Sequence, residues 1–131
     1  MTQHLTIVYA EDDPDIQMIA SMALEDIGGF NVHLCNNGEE AVQLLTTGQV
    51  KPNLILLDVM MPQKDGPTAL LELQSAMGND LPPVVFITAK ASASEVERLI
   101  ALGAQSVITK PFDPMTLADE VASCWENASR D

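Results

Sequence analysis

Five side chains stand where apolar stretches stop, and their types could do chemistry together: Glu11 and Asp12 in "YAEDDP", Asp58 closing "NLILLD", Thr88 in "ITAK" and Lys110 in "ITKPF". If Glu11, Asp12 and Asp58 approach within ~5 Å, each like-charge pair costs about 1 to 3 kcal/mol at effective dielectrics of about 80 to 20, so a cation must compensate. Hard oxygen donors around a small cleft suit Mg²⁺, which keeps several waters and uses one or two carboxylates together with phosphate oxygens. A lysine nearby suits phosphate as a point charge, and a threonine hydroxyl adds one hydrogen bond. The set fits phosphoryl transfer onto a carboxylate, with Asp58 as nucleophile and the metal and Lys110 neutralising the transferred group.

That chemistry requires elements that deliver all five residues to one place. "LTIVYA" (5–10), "VHLC" (32–35), "NLILLD" (53–58), "VVFITA" (84–89) and "SVIT" (106–109) are short and nearly continuous in apolarity, as strands covered on both faces are. Helical spacing lies between them. Over 14–27 the stripe is Ile16, Ile19, Ala20, Ala23, Leu24 and Ile27, with Asp13 as cap, Pro14 in the first turn and Gly28-Gly29 as terminator. Further helices are predicted over 38–47, 66–77 and 92–102, the last capped by Ser92 or Ser94, and from Asp113-Pro114 through Leu117, Val121 and Trp125. Five βα units in about 125 residues imply a doubly wound α/β sandwich, because parallel neighbours need right-handed crossovers. In such folds the functional crevice lies beyond the carboxyl ends of the strands, where the five residues fall.

Composition narrows the function classes. The 131 residues are read as one domain, 1–131, with its core over about 5–127 and no output domain. No apolar run approaches the ~20 residues that span a bilayer, so no membrane insertion is expected. "MTQHLTIVYA" lacks a basic opening and a small-residue cleavage site, which makes the cytoplasm the expected location. Nineteen acids against six Lys and Arg, a formal charge of -13, argue against direct contact with nucleic acid or anionic lipid. Cys35 and Cys124 read as two buried free thiols.

With these residues in order, the chain resembles the response-regulator receiver domains of two-component signalling, the CheY-like family. The likeness runs from about 5 to 127 and rests on four ordered signals: "YAEDDPDI", "LLDVMMPQKDG", "ITAK" and "GAQSVITKPF". It implies a flavodoxin-like sheet of order 2-1-3-4-5, and an acceptor, Asp58, phosphorylated by a histidine kinase or phosphotransfer protein. Glu11, Asp12, Asp58 and the backbone carbonyl of Met60 would hold Mg²⁺, with Mn²⁺ able to substitute. Thr88 would contact the phosphoryl oxygens and move on activation, Lys110 would bridge Asp58 and the phosphoryl group, and Lys110-Pro111 would be cis. The expected protein is a monomeric phosphoacceptor rather than an enzyme with a separate substrate. It signals to a downstream protein through the 91–127 face or passes the phosphoryl group on.

Other residues take plainer readings. Asp13 caps a helix, which leaves Glu11 and Asp12 as the metal pair; Asp65-Gly66 is turn chemistry; Lys64 and Lys90 are solvated lysines on the rim of the cleft; His4 and His33 have no metal-site spacing. One departure from the family stands out: the position three before Lys110, usually Tyr or Phe, is Val107. A valine cannot supply an aromatic ring that turns inward behind Thr88, so readout through the backbone at 89–95, or onward relay, is expected instead. A haloacid-dehalogenase-like phosphatase would need a second Asp where Met60 stands. A flavin binder would need a neutral phosphate loop in place of "AEDDP". A receiver segment of a larger regulator or hybrid kinase is the alternative.

Overall fold

A computed structural model describes residues 4–129; Met1–Gln3 and Arg130–Asp131 of the predicted domain lie outside it. Strands and helices alternate: β1 (Thr6–Ala10), α1 (Pro14–Ser21), β2 (Asn31–Cys35), α2 (Gly38–Thr46), β3 (Leu54–Asp58), α3 (Gly66–Met77), β4 (Val84–Thr88), α4 (Ala93–Leu102), β5 (Ser106–Thr109) and α5 (Leu117–Ser129). All strand pairs are parallel and their order is 2-1-3-4-5, as expected.

Local chemistry accounts for the helix starts. Asp13 accepts from the amides of Asp15 (2.9 Å) and Ile16, Asn37 from Glu40 (2.9 Å), Asp65 from Thr68 (2.8 Å) and Ser92 from Glu95 (3.3 Å). Each satisfies an orphan donor of a first turn. Ser92, not Ser94, is therefore the cap of α4. Gly103, at φ 121°, ends that helix in backbone space that β-carbon-bearing residues disfavour.

Two apolar layers sandwich the sheet. Tyr9, Leu56, Ile87 and Ile108 face Ala20, Ala23 and Leu24 and, from α5, Leu117 and Val121. Val8, Ile55, Leu57 and Phe86 face residues of α2, α3 and α4 that include Ala41, Leu45, Leu70, Leu73 and Leu99. Cys35 and Cys124 are buried free thiols. Among the described residues, no helix is long and apolar enough to cross a membrane.

Several expectations change. Full coverage holds for β3 and β4 and nearly so for β1, but β2 and β5 are the sheet's edges and are only partly buried. The 14–27 helix widens to π geometry over Met22–Ile27, where Gly28 N–H donates to the Ala23 carbonyl five residues back. Ile19 and Ile27 point outward, and Ala20, Ala23 and Leu24 carry the packing. Asp113-Pro114 opens a turn over 114–116, with regular helix beginning at Leu117; Asp113 Oδ1 still caps that turn, accepting from Met115 N–H at 2.9 Å.

Candidate functional site

The strand register explains how residues far apart in sequence meet. Ala10 pairs with Leu57, so Glu11 and Asp58 occupy the next rung together. Asp58 pairs with Ile87, one residue short of Thr88, and Thr88 pairs with Thr109, one short of Lys110. Each step across the sheet from β3 to β5 carries the functional residue one position outward, and a long lysine side chain covers the remaining gap. Side chains alternate along a strand. Tyr9, Leu56 and Ile108 lie on the α1–α5 face, so Glu11, Asp58 and Lys110, each two residues on, share that face. Thr88 follows Phe86 on the opposite face.

The contacts follow this placement. Lys110 Nζ lies 2.8 Å from Glu11 Oε1 and 3.0 Å from Asp58 Oδ2. Asp58 Oδ1 accepts from Met60 N–H at 3.3 Å, and Glu11 Oε2 from Asp13 N–H at 3.2 Å. Tyr9 donates its hydroxyl proton to Glu11 Oε1 at 3.2 Å. Glu11 is 0% exposed, Asp58 5% and Thr88 3%, so these polar groups are withdrawn from bulk water. Burial pushes the Glu11 carboxyl above its ordinary 4.5, opposed by the Lys110 hydrogen bond and reinforced by Asp58. Burial would lower the Lys110 ammonium, but its hydrogen bonds to Glu11 and Asp58 outweigh this and hold it above 10.5. Burial, then the charge of Glu11, raises the Tyr9 phenol, which keeps it a donor.

Glu11, Asp12 and Asp58 each offer an oxygen such that all three lie within 4.8 Å of one another. One ammonium against three carboxylates leaves a deficit of positive charge, and the donors are all hard oxygens; both fit Mg²⁺. The carboxylates line a cleft of about 300 Å³ together with Asp13, Ile16, Met60, Thr88, Ala89, Lys90 and Lys110. Thr88 Oγ1 accepts from Lys90 N–H at 3.0 Å, tying the hydroxyl to the loop before α4. All the expected site residues are thus brought to one cleft, and Lys110-Pro111 is cis.

Lys64 is the exception. It is not a solvated lysine on the cleft rim: its ammonium lies 2.6 Å from both Glu39 on α2 and Glu72 on α3, with only 14% of its side chain exposed. The "DG" pair is also more than a turn. A Cβ added to Gly66 would overlap the Asp58 carbonyl oxygen, so the start of α3 presses against the Asp58 backbone in a way only glycine permits. Sequence reasoning missed Tyr9, which the two-residue strand period from Glu11 could have revealed. It also missed Gln17, whose amide donates to the Glu11 carbonyl and, at 3.0 Å, to Asn36 Oδ1. The latter contact has no local signature.

Comparison with known proteins agrees with this geometry. The family model "Response regulator receiver domain" matches residues 7–122, and the chain belongs to that family. It is 32% identical over 114 residues to response regulator Rre1 of Synechocystis, covering 87% of this chain and 48% of that one. It is 35% identical over 117 residues to the transcriptional regulatory protein CpxR of Klebsiella pneumoniae, covering 88% and 47%. The chain thus spans about half the length of these relatives. Among solved structures, the Francisella response regulator 1452 receiver domain superposes with a TM-score of 0.84 at 26% identity, covering 95% of this chain and 99% of that one. The receiver domain of a Syntrophus aciditrophicus signal transduction histidine kinase superposes at 0.80 and 31% identity, covering 97% and 94%.

Proposed function

We propose that this chain is a Mg²⁺-dependent phosphoacceptor, with Asp58 taking a phosphoryl group from a histidine kinase or phosphotransfer protein. The observation that carries the reading is the placement of Asp58: one carboxylate oxygen held by Lys110, the other by the Met60 amide, on the floor of an acidic cleft. An Asp58 oxygen attacks phosphorus in line as the P–N bond to the donor imidazole breaks, and the imidazole nitrogen leaves. Glu11, Asp12 and Asp58, with the Met60 carbonyl, would hold the Mg²⁺, which when bound supplies positive charge to the transferring oxygens. Lys110 keeps its ammonium on Asp58 and supplies a second positive charge. As Thr88 moves towards a phosphoryl oxygen to donate its hydroxyl proton, Oγ1 is drawn away from the Lys90 amide, and the freed amide alters the loop that leads to the Ser92 cap.

Val107, partly buried against the α2–α4 layer, leaves readout to that backbone change and to the 91–127 face, or to onward relay. An apolar shelf beside the cleft, formed by Ile16, Ile19, Pro111, Phe112 and Pro114, gives a protein phosphodonor a surface to rest on. The protein assists its own phosphorylation and slow dephosphorylation, and has no separate substrate. A second reading, a receiver segment of a larger regulator, is favoured by relatives about twice as long. Intact mass after incubation with acetyl phosphate tests the proposal: a Mg²⁺-dependent, hydroxylamine-labile gain of one phosphoryl group supports it. An unchanged mass both with acetyl phosphate and with phosphorylated histidine kinases counts against it.

A further inference from the structure

We propose that Tyr9 is a positioning residue for the metal site, holding Glu11 in its ligating position while Lys110 bridges Asp58 and the phosphoryl group. The inference rests on the Mg²⁺ reading above and adds to it a residue outside the carboxylate set. Glu11 Oε1 has two donors, Tyr9 Oη at 3.2 Å and Lys110 Nζ at 2.8 Å, while Oε2 has the Asp13 amide. In the proposed transfer Lys110 shares its three N–H donors between Asp58 and the phosphoryl group as well as Glu11, so its hold on Glu11 is divided. Tyr9 and the Asp13 amide are the donors given to Glu11 alone.

A glutamate has one more rotatable bond than an aspartate and loses more freedom when fixed as a ligand. A donor whose own position is already fixed reduces that cost on binding. Tyr9 meets this requirement. It is 0% exposed, its ring is packed in the α1–α5 layer, and its place two residues before Glu11 on β1 puts both side chains on one face. A buried phenol needs an acceptor, so the same bond serves both partners.

Tyr9→Phe keeps the ring and its packing and removes only the donor. Loss of a hydrogen bond to a charged group, at the weaker end of the usual range, corresponds to an affinity loss of about tenfold. The test is Mg²⁺ titration by calorimetry of the whole chain as wild type, Tyr9→Phe, Glu11→Asp and the double variant. The shorter aspartate withdraws its carboxylate from the hydroxyl, so the about tenfold loss in Tyr9→Phe should vanish in the Glu11→Asp background.

Because Tyr9 is the only tyrosine in the chain, labelling tyrosine at Cζ gives a single NMR resonance that needs no variant to fold. That resonance should move with the same midpoint as Mg²⁺ binding. Tyr9→Phe affinity within about twofold of wild type, or a resonance that stays fixed through saturation, overturns the inference while leaving the Mg²⁺ reading intact. A wild-type chain that binds no Mg²⁺ overturns both.

Discussion

Lys110 and Asp58 stand 52 positions apart in the chain and 3.0 Å apart in the fold, with the same ammonium also 2.8 Å from Glu11. One cation therefore bridges two buried carboxylates that would otherwise repel each other. Removing it in Lys110→Ala leaves two withdrawn negative charges without their partner. Breaking a buried pair costs 3 kcal/mol or more, and the partial exposure here brings the expected loss to about 2 kcal/mol. Mg²⁺ should restore more stability to this variant than to the wild type, because it replaces the missing charge. Thermal unfolding with EDTA and with Mg²⁺ measures both. Phosphorylation of the variant should no longer be coupled to any conformational response.

Thr88 tests the readout. Thr88→Ala should still accept phosphate at Asp58 but lose the phosphorylation-dependent change in amide exchange over 89–95, since the Oγ1 that holds the Lys90 amide is gone. Hydrogen exchange with and without phosphodonor distinguishes this from the wild type. A response of wild-type size in Thr88→Ala would mean that the signal leaves the cleft by another route.

Gly66→Ala tests the packing behind Asp58. The new methyl would overlap the Asp58 carbonyl oxygen and lie 2.8 Å from the Phe86 ring, so backbone must move. A loss of about 2 kcal/mol in chemical denaturation is expected, together with slower phosphorylation.

Cys35 gives a pH dependence with a definite sign. Burial, helped by the charge of Glu40, pushes its thiol from an ordinary 9.0 up to about 11. The folded state thus holds its proton more tightly than the unfolded state does. The associated stability is complete below pH 9.0 and is lost as pH rises towards about 11. At pH 8 the folded chain should resist thiol reagents that the unfolded chain consumes at two sites. Titration with a chromogenic disulfide, with and without denaturant, measures this.

What was legible in the sequence follows from how local its cause is. β3 reads plainly because all five of its residues are buried, and its closing acid is conspicuous against them. The cap at Asp13 reads equally well, since a cap involves neighbours within three residues; Ser92 was one of two candidates, and Asp65, read as turn chemistry, caps α3. β2 misled because an edge strand and a central one share β-branched content and differ only in what covers them. Lys64 misled because its partners, Glu39 and Glu72, lie on helices that only the tertiary fold brings together. Asp58 and Lys110 were visible as strand-end residues. That one ammonium serves both Glu11 and Asp58, with Tyr9 behind them, depends on the rung-by-rung register of four strands.

The position of the phosphoryl group decides whether Asp58 takes it. The chain is treated with acetyl phosphate and Mg²⁺, reduced with borohydride to convert an aspartyl phosphate to homoserine, and mapped by peptide mass spectrometry. Homoserine is expected at position 58, and none in Asp58→Asn treated in the same way. Homoserine at another aspartate, or a phosphoryl group retained on Asp58→Asn, would contradict the assignment of Asp58.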